Sequence, residues 1–223
     1  MNVPVRKPRQ IPNWPRWRVV RWLRRLIVTG IVFPALRFGY SVEMVGREHF
    51  RGLEEPCIIV SNHNMHMDQA MLLRTMPMGF RQRVAIAAAA SDIFGNRFRG
   101  FWAGLLGNAF PFAKEGGGIR ESLKTVADML DEGWNILIFP EGELTVLGPM
   151  KPFKAGTSRM AQAGDVPVLP MRIDIVRPGV REGRWLPTPR AKVRVSVGKP
   201  IRIPKGMGTA EATEMLENAV RSA

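Results

Sequence analysis

This 223-residue chain has little cysteine, and its only thiol is Cys57. One thiol excludes an internal disulfide and a zinc site built from several cysteines. Cys57 lies inside an apolar run, and we expect it in the core because free cysteine is commonly buried. A P-loop, a dinucleotide-binding glycine fingerprint and an internal repeat are also missing. The length suits one domain with a full core and a short appendage, and the near-absence of cysteine fits a reducing, cytosol-facing location.

Acidic residues are missing from the start of the chain. The first acid is Glu43, whereas nine basic residues precede Tyr40, out of a net charge of +14 for the whole chain. The positive charge is therefore concentrated in the N-terminal segment. This segment has no long hydrophobic run: residues 26–36 are mostly apolar but contain Gly30 and Pro34, and a helix needs about 20 apolar residues to span a membrane.

Residues 14–28 predict an amphipathic helix. At 100° per residue, three arginines share one arc, aliphatic residues fill the opposite side, and Trp17 and Trp22 lie at the two boundaries. A basic face, an apolar face and tryptophan between them are typical of a helix in a membrane interface. We therefore predict a membrane-associating segment over residues 1–40, followed by a separate domain over residues 41–223. The expected location is the cytoplasmic face of a membrane, peripheral or monotopic. The three arginines are Arg18, Arg21 and Arg25.

Three other interpretations of this segment remain open. It could be an organellar transit peptide, a nucleic-acid-binding arm, or a helix that packs on its own domain. The broad aliphatic face argues against nucleic acid, so we expect no nucleic-acid partner. No Ala-x-Ala-like site closes the apolar run, which argues against a signal peptide.

A polar segment follows the buried strand predicted over residues 57–61. It runs from Asn62 to Asp68 and contains His63. On one continuous helix His63 and Asp68 would lie ~140° apart, so they could not face each other. They can meet if His63 lies in a loop and Asp68 in the first turn of the next helix, with Asn64 as N-cap. A histidine oriented by a carboxylate can deprotonate a substrate hydroxyl.

Other apolar runs also end in polar or charged residues. Residues 135–139 lead into Glu141, residues 107–114 end at Lys114, and residues 166–170 form a proline-bounded run. Strands that deliver polar residues at their carboxyl ends are typical of active sites in α/β sheets. A strand over residues 42–45 at the sheet edge, a half-exposed strand over residues 191–197, a helix from Ile119 to Gly133 and a C-terminal helix capped by Thr209 complete the pattern. The prediction is a mixed, largely parallel sheet flanked by helices.

These motifs resemble the glycerolipid acyltransferase family, whose members acylate lysophosphatidic acid and related lysolipids. The family carries Asn-His-x4-Asp, Gly-x-x-Phe-Pro-x-x-Arg-like, Phe-Pro-Glu-Gly and Val-Pro-x-x-Pro motifs in this order. The matching segments cover most of residues 42–205, and the resemblance implies a glycerol-3-phosphate-acyltransferase-like fold. They are residues 62–68, 107–114, 139–142 and 166–170.

The resemblance also implies roles for individual residues. His63 would be the general base and Asp68 would orient it. Glu141 and Gly142 would position the acceptor, with backbone amides near Gly142 facing the developing oxyanion. Lys114 would contact the acceptor phosphate. Lys154 is either a second phosphate contact or a solvated loop cation.

The implied reaction moves an acyl chain from acyl-CoA or acyl carrier protein to the hydroxyl of a lysophospholipid, with 1-acyl-glycerol-3-phosphate as the expected acceptor. No cofactor and no metal are expected. A metal bound by His63, His66 and Asp68 would need further ligands, and the only other histidine, His49, lies in a loop-like context.

The chain departs from the family pattern near the acceptor site. Lys114 replaces a usual arginine and offers a point charge rather than a bidentate fork. Leu144 stands where a second arginine is usual, and the acid Glu143 precedes it. Acyl transfer to a different polar lipid, or a basic peripheral membrane protein without activity, are therefore the alternatives.

Overall fold

The computed structural model describes residues 13–54, 56–113, 118–145, 148–177 and 191–223. Within these ranges, seven strands form one sheet, and helices cover both of its faces. The strands are β1 (Tyr40–Val45), β2 (Ile58–Ser61), β3 (Val84–Ala89), β4 (Ala109–Phe112), β5 (Asn135–Ile138), β6 (Val168–Arg177) and β7 (Ala191–Val197). The helices are α1 (Arg18–Ile27), α2 (Phe33–Gly39), α3 (Asp68–Thr75), α4 (Met78–Arg81), α5 (Arg97–Gly107), α6 (Ile119–Asp131), α7 (Gly156–Gly164) and α8 (Thr209–Arg221).

The sheet is largely parallel. Its strand order is β1-β7-β6-β2-β5-β3-β4, and the five strands from β6 to β4 all run in the same direction. Only the pairing of β6 with β7 is antiparallel. The predicted mixed, largely parallel sheet with flanking helices is confirmed, and β1 lies at the edge as expected.

Two apolar clusters lie on opposite faces of the sheet. In β2, Ile59 belongs to one cluster, while Ile58 and Val60 belong to the other. Helices α2 and α3 cover the first face, and α6, α7 and α8 cover the second. Because both sides of β2 are covered, all four of its residues are buried. Cys57 is fully buried in the first cluster, as predicted.

Two predictions of local structure were wrong in detail. The strand over residues 191–197 alternates as predicted from Ala191 to Val195, with Arg194 exposed, but Ser196 is buried where the alternation predicts an exposed side chain. The turn of residues 47–50 lies against this end of β7, where the His49 ring contacts the Val197 carbonyl oxygen at 2.8 Å. Helix α8 begins at Thr209 itself, with Gly208 at the N-cap position and no side-chain cap.

The N-terminal helices pack on the same domain. Helix α1 continues through a π-helical turn over Val28–Val32 into α2. Phe33, Leu36 and Tyr40 are buried members of the first cluster. Among the described residues, no helix is both long and apolar enough to cross a bilayer.

Candidate active site

The site lies where β2 and β5 end. The two strands pair in parallel, with Ile59 opposite Leu137 and Val60 opposite Ile138. Parallel neighbours end at the same edge of a sheet, so the segments that follow them emerge side by side. His63 follows β2 and Glu141 follows β5, which places these two residues together although 78 positions separate them.

His63 and Asp68 make the contact that their spacing predicted. The Nδ1 atom of His63 lies 3.0 Å from Oδ2 of Asp68. The imidazole is 21% exposed and the carboxylate is fully buried. When Nδ1 donates its proton to Asp68, the other ring nitrogen, Nε2, is left as a proton acceptor. The pair therefore has the arrangement of a general base and its orienting carboxylate.

Asp68 is held by the backbone around it. Its Oδ2 atom also accepts from the amides of Asn64 at 2.6 Å and Met65 at 2.8 Å. Burial raises the pKa of Asp68, while the His63 imidazole and these two amides oppose that rise. The predicted N-cap at Asn64 was wrong, because α3 begins at Asp68 with Met67 at the N-cap position. The Asn64 side chain instead donates to the carbonyl oxygen of Ile173.

Glu141 joins the two loops of the site. Its Oε1 accepts from the backbone amide of His63 at 2.8 Å. Its Oε2 accepts from the Thr145 hydroxyl at 2.7 Å and the Lys151 amide at 2.9 Å. The carboxylate is buried, and the Thr145 amide donates in turn to the His63 carbonyl oxygen. In this structure Glu141 fixes the position of the His63 backbone, and its predicted contact with substrate stays a prediction.

Two contacts of the site have no signal in the sequence spacing. The ring of Phe139 stacks on the His63 imidazole, with centroids 4.2 Å apart and planes 21° apart. The Asn62 side chain accepts from the Ile173 amide and donates to the Ile173 carbonyl oxygen. Through this second contact, Asn62, which directly follows β2, is also hydrogen-bonded to β6. Alternation within a single strand cannot reveal partners that lie 76 or 111 positions away. The Phe of the Phe-Pro-Glu-Gly motif and the Asn of the Asn-His-x4-Asp motif could nevertheless have drawn attention to Phe139 and Asn62.

Gly142 and Lys154 lie against each other. Gly142 has φ +73°, and its amide closes a turn by donating to the Phe139 carbonyl oxygen at 3.1 Å. A Cβ atom at Gly142 would lie 3.0 Å from Cε of Lys154, so this lysine side chain crosses over the glycine. The Lys154 amide donates to the Pro140 carbonyl oxygen. An oxyanion contact from this turn and a phosphate contact from Lys154 remain predictions.

The acceptor-side residues are described only in part. Lys114 lies outside the described residues. Leu144 is half-buried, and the exposed Glu143 carboxylate pairs with Nζ of Lys151 at 2.9 Å. Glu143 therefore has a partner away from Leu144.

His63 lies close enough to His66 to affect the pKa of the His66 imidazole. Partial burial lowers the pKa of His66, and the neighbouring His63 lowers it further. Within the ranges that the structure covers, no three His, Cys, Asp or Glu side chains are grouped as metal ligands.

Comparison with known proteins agrees with the fold and the motifs. The profile of the family described as Acyltransferase matches residues 41–174, more than half of the chain. The chain is 27% identical over 161 residues to mouse 1-acyl-sn-glycerol-3-phosphate acyltransferase alpha, covering 71% of this chain and 54% of that protein. It is 29% identical over 150 residues to the 1-acyl-sn-glycerol-3-phosphate acyltransferase of Saccharomyces cerevisiae, covering 61% of this chain and 44% of that protein. The chain thus spans about half the length of these curated relatives.

A solved structure has the same fold. It is the 1-acyl-sn-glycerophosphate (LPA) acyltransferase PlsC of Thermotoga maritima, with a TM-score of 0.64 and 23% identity. The match covers 92% of this chain and 85% of that one.

Proposed function

Because the chain belongs to the acyltransferase family, we propose that it transfers an acyl chain from an acyl thioester to the free hydroxyl of a lysophospholipid. The single observation that carries this proposal is the His63–Asp68 pair, since its imidazole is partly exposed at the carboxyl end of β2. The named relatives act on 1-acyl-sn-glycerol-3-phosphate, which makes this lipid our proposed acceptor and phosphatidic acid the proposed product.

The proposed chemistry is a direct transfer. Nε2 of His63 takes the proton of the acceptor hydroxyl, and the oxygen attacks the thioester carbonyl carbon. The tetrahedral intermediate collapses with cleavage of the carbon–sulfur bond. The proton held by His63 goes to the leaving sulfur, which restores the neutral imidazole. A covalent acyl-enzyme is not needed, and the neighbouring Ser61 is fully buried.

The proposed site of action is a membrane surface, because the acceptor is a lipid and α1 presents apolar side chains outward. Trp17, Val19 and Trp22 are 63%, 76% and 61% exposed. The proposed location is the cytoplasmic face, and the donor is acyl-CoA or acyl carrier protein.

A second acceptor class is favoured by one observation. Leu144 occupies the position of a phosphate-binding arginine in the resembling family, so the described part of the site has one cation fewer than that family pattern. An acceptor without a phosphomonoester would need fewer cations.

The test is thiol release by purified protein. The protein is incubated with acyl-CoA or acyl carrier protein thioester and one lysolipid at a time, and the product lipid is identified by mass. We expect phosphatidic acid from 1-acyl-glycerol-3-phosphate, and no product from the His63→Ala variant. Vesicle binding without thiol release on any lysolipid would instead support a non-catalytic membrane protein.

A further inference from the structure

Helix α5 carries a cluster of exposed aromatic side chains that the catalytic site does not use. Phe98, Phe101 and Trp102 are 72%, 49% and 41% exposed. Trp102 makes edge-on contacts with both phenylalanines, at centroid distances of 6.1 Å and 5.6 Å. Large apolar side chains that are grouped on a surface mark an interaction site far more often than scattered ones do.

This cluster contacts the segment that leads into α1. Trp14, just before α1, stacks on Phe101 with centroids 5.2 Å apart. Arg24 of α1 faces inward and donates from Nε to the Leu105 carbonyl oxygen at 2.6 Å and from Nη2 to the Gly104 carbonyl oxygen at 2.9 Å. The two helices are therefore fixed to each other. We call the exposed aromatic residues of α5, the exposed apolar residues of α1 and Trp17 at the N-cap of α1 together the apolar platform; its members are Trp17, Val19, Trp22, Leu23, Leu26, Phe98, Phe101 and Trp102.

The aromatic part of the platform lies toward the catalytic edge of the sheet. Helix α5 connects the parallel strands β3 and β4, so it must run against their direction. Its first half therefore follows the carboxyl end of β3. That edge also carries His63 after β2 and Glu141 after β5, and the pairing of Ile86 with Leu137 aligns β3 with β5. Phe98 and Phe101 are in this first half, and Trp102 is the middle residue of the helix.

The charged residues within α1 and α5 are all cationic. Arg97 and Arg99 flank Phe98 and are exposed, and Arg18 and Arg25 are exposed on α1. Residues 93–114 contain no acid, and neither do residues 13–42. Exposed Trp and Phe beside arginine fit the interface of an anionic bilayer, where aromatic rings lie at headgroup depth and cations meet lipid phosphates.

We propose that α5 is a second membrane-contacting element, which inserts Phe98, Phe101 and Trp102 into the interface of an anionic bilayer. This deepens the membrane-surface function proposed above and rests on it. Together with α1, the helix holds the catalytic edge of the sheet at the depth where a lysolipid hydroxyl lies. The lipid acceptor then reaches His63 without leaving the interface.

The test is binding of the full chain to vesicles of phosphatidylcholine and phosphatidylglycerol mixed two to one. The Phe98→Gln, Trp102→Gln double variant removes apolar area from exposed positions only. We expect its partition coefficient to fall at least about tenfold. The matched control is Val45→Gln, because Val45 is 49% exposed on β1, at the opposite edge of the sheet from β4. This control should bind as the wild type does.

Binding equal to that of the wild type in the double variant would overturn the proposal. A wild-type dimer that becomes a monomer in the double variant, with vesicle binding unchanged, would also overturn it and assign the face to a second copy. If the double variant fails to fold, quenching by brominated acyl chains replaces it: Trp102→Phe should lose part of the quenching seen in the wild type, and unchanged quenching would overturn the proposal. Vesicle binding is measured without substrate, so failure of the proposed acyl transfer is seen separately as missing thiol release.

Discussion

At the scale of residues, the site depends on a buried carboxylate with several donors. Asp68 accepts from the His63 ring and from two backbone amides through a single oxygen, Oδ2. Its other oxygen, Oδ1, is buried and has no hydrogen-bond partner among the residues that the structure describes. An ionised carboxylate in this position fixes the imidazole orientation and stabilises the positive charge that forms when His63 takes a proton.

Replacing Asp68 by Asn should impair catalysis far more than folding. The amide oxygen of Asn can take the place of Oδ2 and still accept from the Asn64 and Met65 amides and from the His63 ring. A neutral amide, however, no longer stabilises the positive charge that forms when His63 takes a proton. We expect kcat to fall on the order of 10²–10⁴-fold. Thiol release and thermal unfolding measure the two effects. Asp128→Asn, on the exposed face of α6, is the control and should keep full activity. Near-normal turnover of Asp68→Asn would contradict the proposed role.

Replacing Glu141 by Gln separates a positioning role from a substrate contact. Gln has one acceptor oxygen where Glu141 serves the His63 amide, the Lys151 amide and the Thr145 hydroxyl, so one buried amide loses its partner. This costs about 1–3 kcal/mol of unfolding free energy. If Glu141 positions His63, kcat should fall and KM for the acceptor should stay unchanged.

The experiment compares urea unfolding and steady-state kinetics with those of Glu143→Gln, whose exposed carboxylate pairs with Nζ of Lys151. A raised KM for the acceptor with unchanged stability would instead assign Glu141 to substrate binding.

Some contacts between residues of the site could be predicted from the sequence, and others could not. The His63–Asp68 contact follows from five positions of spacing and a strand-to-helix boundary. The bonds of Glu141 to His63 and of Asn62 to Ile173 depend on strand order, because β5 and β6 become neighbours of β2 only in the folded sheet. Local periodicity carries no information about that order.

At the scale of elements, α1 is an amphipathic helix whose arginine side is turned partly inward. Arg24 donates to carbonyl oxygens of Pro15, Gly104 and Leu105, and Arg21 lies over the ring of Trp134 at 5.3 Å. Burial lowers the pKa of Arg24 to about 10, so it remains charged at neutral pH. The periodicity of the sequence predicted both faces of the helix correctly. The exposed apolar face agrees with the predicted interfacial helix, whereas the contacts of Arg24 and Arg21 with the domain could not be predicted, because they depend on where α5 and Trp134 lie in the fold.

Replacing Arg24 by Met should loosen α1 from α5. The variant loses three hydrogen bonds from a charged group, and we expect the unfolding free energy to fall by about 2 kcal/mol. Arg24→Lys should not restore stability, since one ammonium cannot reproduce the fork of a guanidinium. The measurement is urea unfolding followed by tryptophan fluorescence. Arg25→Met, one position away and exposed, should leave the midpoint unchanged. Equal midpoints for all variants would show that Arg24 does not hold the helices together.

At the scale of the whole molecule, we expect the cations around the site to decide between phosphorylated and phosphate-free acceptors. Lys114 and Leu144 are the two positions where this chain differs from a pair of arginines in the resembling family. Leu144→Arg should favour a phosphorylated acceptor, because Glu143 is paired with Lys151 and is not needed to neutralise the new cation. Lys114→Met should act in the opposite direction by about ten- to a hundredfold in kcat/KM. Competition between lysophosphatidic acid and a phosphate-free lysolipid measures both. If neither variant changes the ratio, these positions do not select the acceptor.

The chain has a net charge of +14. Its binding to vesicles could depend on this total charge or on where the charged residues lie. Arg18 and Arg25 are exposed on α1 beside the apolar platform, whereas Arg47 and Arg51 are exposed at the other end of β1. Each arginine near an anionic surface contributes about 1 kcal/mol, so changing both Arg18 and Arg25 to Gln should weaken binding to anionic vesicles by about thirtyfold and leave binding to phosphatidylcholine unchanged. Changing Arg47 and Arg51 to Gln removes the same charge from a distant surface and should weaken binding far less. Sedimentation with the two vesicle types at low and high salt makes the comparison, because screening should diminish only the contribution of the arginines. Equal losses in the two double variants would mean that total charge controls binding, and that the arginines beside the platform have no special part in it.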